Sequence, residues 1–330
     1  MLYLGCLGRH DSVDTECIVV LKEENSVANF AIEMTAVSKR FGHLQVLQGL
    51  DLQVPRKSIF AFLGNNGEGK STAIRLIVGL LQPDSGSIRV LDKDIRSHRQ
   101  TILRDLGCLV EAPSAYPNLT AFEFLKIACL VKSLPNSEIE RVLDSVGLRV
   151  DTQRLIRHFS LGMKQRLALA HALLGQPKLL ILDEPLNGLD PAGIHEMRDL
   201  LASLPDQTEC TILISSHQLD EVEKIATHLA LLKDRKVQFQ AELNAIHPTQ
   251  HGVLTLHVND AGSAESLLSA QSLKTRKLSA THIQVLDLPQ ASVYEVNALL
   301  VHANLQLHNS NFEKMRLEQW FREQTQGAEA

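Results

Sequence analysis

Long apolar runs are missing from this chain of 330 residues, and none approaches the roughly 18–20 consecutive apolar residues that a membrane-crossing helix requires. Arg9, His10 and Asp11 interrupt any apolar stretch near the start, so neither a membrane span nor a secretory signal is expected. Action at a membrane would need another subunit to do the spanning. Cysteine is sparse and unpatterned: the five residues Cys6, Cys17, Cys108, Cys129 and Cys210 show no Cys-x-x-Cys spacing, which points away from a zinc site or a disulfide framework and suits a reducing cytosol. A basic excess is lacking too. With a formal charge of -5 and a pI near 6.3, the chain has no overall footprint for gripping nucleic acid, which leaves only a local basic patch for that purpose. The Asn-Lys-x-Asp motif by which GTPases read their base is absent. What is present is a hydrophobic content of 44%, ordinary for a globular protein and sufficient for one large domain or two moderate ones.

The stretch with most chemical content is Gly64-Asn65-Asn66-Gly67-Glu68-Gly69-Lys70-Ser71-Thr72. It follows the apolar run Ser58–Leu63 and precedes a segment rich in Ile and Leu, so it reads as strand, loop and helix. Its fixed positions match Gly-x-x-x-x-Gly-Lys-Ser, in which glycines let backbone N–H groups close around phosphate oxygens and a helix N-terminus adds partial positive charge. Lys70 would neutralise the β- and γ-phosphates of a nucleotide, and Ser71 would ligate Mg2+. The apolar residues Ile74, Leu76, Ile77, Val78, Leu80 and Leu81 predict a buried helix after the loop.

Residues 1–30 show no clear period and are read as an extension outside the patterned core, which runs over 31–243. Two or three strands are expected from Ile32 to Leu63, with turns at Phe41-Gly42 and Pro55–Lys57. Phe41 is either core or an aromatic platform for a base. Leu106–Glu111 reads as a buried strand ending in a carboxylate, Thr120–Val131 as a helix capped by Thr120 and Glu123, and Ser137–Val146 as a second helix stopping at Gly147. These helices fall in an inserted helical region at about 112–160. Leu179–Glu184 is an apolar strand ending in two acids, which would leave carboxylates facing a phosphate site: Asp183 to hold Mg2+ through water and Glu184 to polarise an attacking water as general base. Ser160 and Gly162 open a helix whose N–H groups could meet an anion. The strand Cys210–Ser215 brings His217 to the same sheet edge.

In this order the motifs resemble the ATP-binding subunits of ABC transporters over about residues 32–240. Gly64–Thr72 resembles the Walker A loop, Leu179–Glu184 the Walker B strand with its glutamate, Ser160–Gln165 a variant signature motif, Asn187–Pro191 with Asp190 the D-loop, and His217 the switch histidine. Glu111 stands at the place of the Q-loop glutamine, where it could still hold a Mg2+-bound water. The signature lacks the second glycine of the commoner Ser-Gly-Gly-Gln, and Asp234-Arg235-Lys236 stands where the family usually has a glycine. Both the signature and Glu111 are similar to those of bacitracin- and lantibiotic-type export ATPases, a likeness in which Phe41 would face adenine.

The resemblance implies an α/β P-loop fold with an antiparallel N-terminal β-subdomain and an inserted helical subdomain. It implies ATP and Mg2+ as ligands, Lys70, Glu184 and His217 as the hydrolytic group, and Ser160 and Gly162 reaching the γ-phosphate from a second subunit, identical or not. Integral membrane permease subunits would be the partners, at the cytoplasmic face of the membrane, with no nucleic acid expected. The alternative is a soluble ABC ATPase acting on nucleic acid or ribosomes. Residues 244–330 read as a small α+β appendage of ferredoxin-like order, with strands at Val253–Val258 and His282–Leu286 and helices near Ala264–Leu268, Val293–His302 and Phe312–Glu323.

Overall fold

The computed structural model describes residues 30–110, 116–217, 219–245 and 251–314. The N-terminal extension, Glu111 and most of the last expected helix therefore lie outside the described residues. The described residues open with β1 (Phe30–Phe41), which pairs antiparallel with β2 (Leu44–Pro55) through the expected turn at Gly42. β3 (Ile59–Leu63) carries the glycine loop into α1 (Lys70–Ile77), a helix shorter than the apolar run suggested: it stops at the positive-φ Gly79, and Leu80 is exposed. β4 (Ser85–Val90) and the short β5 (Lys93–Asp94) complete an antiparallel sheet of order β2-β1-β4-β5. Next come α2 (Ile95–Arg104), whose first turn is capped by the Asp94 carboxylate, and β6 (Leu106–Leu109).

The helical region contains α3 (Ala121–Lys132) and α4 (Ser137–Ser145). α3 carries the capping box expected from its sequence: Thr120 Oγ1 accepts the Glu123 N–H at 3.2 Å, and Glu123 accepts the Thr120 N–H at 2.8 Å. The chain then returns through α5 (Leu161–Ala172), β7 (Leu179–Asp183), α6 (Pro191–Thr208), β8 (Thr211–Ser216) and the single turn α7 (Leu219–Val222). β9 (His228–Lys233) and β10 (Lys236–Glu242) close the second sheet, of order β10-β9-β3-β8-β7-β6. Their two-residue turn explains the missing family glycine: Asp234 and Arg235 both adopt positive φ, 51° and 70°, as a type I′ hairpin demands, and Asp tolerates that region better than most residues.

All pairs from β9 to β6 in this sheet are parallel, and its central strand β3 is buried over its whole length. That is why β3 reads as a continuous apolar run and does not alternate. Ile59, Ala61 and Leu63 face a core shared with α3, α4, α5 and α6, whereas Phe60 and Phe62 face α1 and the antiparallel sheet. Burial pushes the Cys210 thiol up to about 12, as befits a packing residue without reactive thiolate.

A third sheet is formed by β11 (His251–Val258), β12 (Thr275–Lys277), β13 (His282–Pro289) and β14 (Leu307–Lys314), in the order β12-β13-β11-β14. With α8 (Ala261–Ala270) and α9 (Val293–His302) between strands, the sequence β-α-β-β-α-β and this antiparallel order are ferredoxin-like. One expectation is corrected here. Phe312 lies in a strand rather than at the start of a helix, because Leu307–Lys314 hydrogen-bonds along β11 and Phe312 packs on the core of this sheet.

Candidate functional site

The site is built where the parallel strands end. β3 delivers Gly64 against β9 so closely that a Cβ there would lie 2.6 Å from the Leu232 carbonyl oxygen, which leaves room for no other residue. Gly67 and Gly69 turn the loop with φ of 89° and 107°, and Gly69 also packs under Leu47 and Val46 of the first hairpin. Asn65, Asn66 and Gly67 are exposed, while Glu68 donates its N–H to the Asn65 carbonyl at 3.3 Å. Ser71 and Thr72 are half-buried in the first turn of α1. Lys70 begins that helix and folds back over the loop. Its side chain is 6% exposed, and the ammonium donates to the Gly64 and Asn65 carbonyls at 2.6 and 3.3 Å.

β7 and β8 bring the acids and the imidazole to the same edge. Their register places Asp183 beside Ser215, and Glu184 follows immediately with a left-handed φ of 50°. One Glu184 oxygen lies 2.8 Å from His217 Nδ1, and the other sits 3.5 Å from Lys70 Nζ, an ion-pair distance without a hydrogen bond. Lys70, Asp183, Glu184 and His217, four residues drawn from three separate motifs, thus form one contiguous group. Ser215 was not among the residues singled out from sequence. Its hydroxyl donates to Asp183 Oδ1 and accepts the Glu184 N–H at 3.0 Å. The signal that could have found it is its position two residues before His217, opposite the Asp183 strand end.

Ser160, Gly162 and Asp190 form a second group. Ser160 caps α5 by accepting the Met163 N–H at 3.2 Å, and Asp190 caps α6 by accepting the Gly193 N–H at 3.0 Å. Gly162 faces Leu189, and Gly188 faces Leu161, so the two helix starts are packed on one another. None of the cap bonds of Ser160 and Asp190 reaches Lys70 or Glu184. Phe41 is 47% exposed at the tip of the β1–β2 hairpin, with Lys39 Nζ 5.6 Å from its ring centroid, so the core alternative does not hold for it. Glu111 lies outside the described residues.

The donors present suit a divalent cation and a triphosphate. A hydroxyl (Ser71) and a carboxylate (Asp183) are hard oxygen ligands of the kind Mg2+ takes, and the buried Glu184 Oε1 has no hydrogen-bond partner among the described residues. Residues 47–187 match the ABC transporter family. The chain is 40% identical over 238 residues to the bacitracin transport ATP-binding protein BcrA of Bacillus licheniformis, covering 72% of this chain and 78% of that one. It is 38% identical over 211 residues to the lantibiotic transport ATP-binding protein SrtF of Streptococcus pyogenes, covering 64% and 90%. A solved ATP-binding subunit of an ABC transporter superposes with a TM-score of 0.59 at 30% identity, over 66% of this chain and 92% of that chain. The protein belongs to the ABC transporter ATP-binding family, whose cassette binds nucleotide and acts as an ATPase. Among the described residues, no helix is long and apolar enough to cross a membrane.

Proposed function

We propose that this chain binds ATP with Mg2+ and hydrolyses it to drive an exporter of the peptide-antibiotic type, whose membrane-spanning subunits are separate polypeptides. The observation that carries this reading is the contact group at the sheet edge: Lys70 folded over the loop, Glu184 held between Lys70 and His217, and Asp183 bonded to Ser215 at the end of β7. Lys70 would turn from its loop carbonyls to phosphate oxygens, and Ser71, with Asp183 through water, would hold Mg2+, which when bound would neutralise phosphate charge. Glu184 takes the proton of the attacking water, and His217 fixes the orientation of its carboxylate. The family likeness to bacitracin and lantibiotic transport proteins supports export, at the cytoplasmic face of the membrane.

Ser160, Gly162 and Asp190 lie in a different contact group from Lys70, which supports a head-to-tail pair in which one chain's α5 start completes the phosphate site of the other. A membrane subunit would find its docking surface on α3, where Ile127, Leu130 and Val131 expose an apolar stripe. Glu184→Gln should retain ATP binding, lose roughly 100- to 1,000-fold in turnover and accumulate an ATP-bound dimer. Turnover near wild type would remove Glu184 as the base. The wild type should co-purify from detergent extracts with a polytopic membrane protein, and Leu130→Asp should lose it. Strong RNA-stimulated hydrolysis without such a partner would instead favour the nucleic-acid reading.

A further inference from the structure

We propose that Ser215 is a positioning residue for hydrolysis, setting the geometry of both acids at the end of β7; this rests on the reading of Glu184 as the base and Asp183 as a cation ligand. Ser215 is fully buried, and the β7–β8 register sets it opposite Asp183, within reach of both acids. It donates its proton to Asp183 Oδ1 and accepts the N–H of Glu184. That N–H also meets the Ser215 carbonyl oxygen at 3.2 Å, so it would keep a partner if the hydroxyl were removed. The hydroxyl is therefore not there to rescue an orphan donor.

A simpler reading is that a buried serine has merely found the nearest polar groups. Two features weigh against it. The preceding residues of β8, Ile212, Leu213 and Ile214, are buried and apolar, and an alanine would continue that run without leaving any donor unpaired. Moreover, the bond is made to a residue under backbone strain: Glu184 has φ of 50°, a region that side-chain-bearing residues occupy only when the surroundings hold them there. This left-handed turn allows the Glu184 carboxylate to leave the strand and sit between His217 and Lys70. The same hydroxyl pins one Asp183 oxygen and leaves the other uncommitted to Ser215. A single side chain thereby couples the orientation of the cation ligand to that of the base.

The test compares full-length wild type with Ser215→Ala, Ser215→Cys and Ser215→Thr, and runs Glu184→Gln alongside. Ser215→Ala should lower kcat about 10- to 100-fold, with the KM for ATP within about threefold, because misplacing a positioned group by a fraction of an ångström costs turnover rather than binding. Half-activation by Mg2+ should move to several-fold higher concentration. The thermal shift produced by Mg2+ with a non-hydrolysable ATP analogue should shrink, while the shift with analogue in EDTA stays unchanged. Ser215→Thr keeps the hydroxyl and should remain within about threefold of wild type; Ser215→Cys, close to serine in size with a weak donor, should follow alanine. Should the alanine variant fold poorly, the threonine and cysteine pair decides the question. A Ser215→Ala or Ser215→Cys enzyme with wild-type kcat and Mg2+ response would overturn the inference. Near-wild-type turnover in Glu184→Gln would instead overturn the underlying assignment of the base, so the two failures are distinguishable.

Discussion

Replacing Lys70 by alanine separates two roles that its position combines. The Lys70 side chain is almost fully enclosed, the ammonium donating to Gly64 O at 2.6 Å and Asn65 O at 3.3 Å, with Glu184 Oε1 at 3.5 Å. Removing it deletes one short charge-assisted bond and leaves a buried carboxylate oxygen without its neighbouring cation, so the free protein should lose about 1–2 kcal/mol of stability. The larger effect falls on ATP. A bond from a charged donor to phosphate contributes about 1.5–3 kcal/mol, and Lys70 would make such bonds to two phosphates while giving up its loop carbonyls. The net loss should be about 2–4 kcal/mol, or roughly 30- to 1,000-fold in Kd for ATP. Titration with a fluorescent ATP analogue, alongside thermal unfolding without nucleotide, measures both quantities. Lys70→Arg should not restore binding, because a planar guanidinium does not fit the enclosure that a compact ammonium occupies. ATP affinity within threefold of wild type in Lys70→Ala would refute the reasoning.

Two other substitutions probe the glycine loop and the helical region. Gly69→Ala places a Cβ 2.9 Å from Leu47 Cδ2 at a φ of 107°, so it should destabilise the fold by about 2–4 kcal/mol and weaken ATP binding, measured by thermal unfolding and titration. Glu138 lies below its ordinary value of 4.5, held there by the Arg141 guanidinium and by the Gly175 N–H. Its contribution to stability is therefore complete above that value and declines as pH falls through the lower folded-state value. Glu138→Gln should be less stable than wild type at pH 7, and the gap should close as pH drops below about 4.5. A gap that stays constant down to pH 3 would contradict the assignment.

The strand-loop-helix form of Gly64–Thr72 could be read from the sequence because everything it needs is local: an apolar strand, glycines where φ is positive, and a lysine at the first helical position. The caps of α3 and α5 were legible for the same reason, since Thr120 and Ser160 bond to groups three residues away. Non-local pairing hid the rest. β14 contains Asn309, Ser310 and Asn311, poor strand formers, and becomes a strand only because the edge of β11 lies beside it. β12 is three residues long and carries no usable period. Ser215 acquires partners only through its register with Asp183, and the proximity of His217 to Glu184 likewise depends on β7 and β8 lying side by side.

The central place of β3 also governs when this protein can first recognise a nucleotide. The strand that carries the loop has no early partner. It is flanked by β8 and β9, and the N–H of Ile59 at its start bonds to Thr227 Oγ1, 168 positions further along. During synthesis, the residues of the phosphate cradle emerge long before the strands that fix them, and closure of so long a loop is slow. A chain ending before β8 carries every residue of Gly64–Thr72 but neither strand that flanks β3, so such a truncation should show no thermal shift with ATP, whereas a chain extending past β9 should.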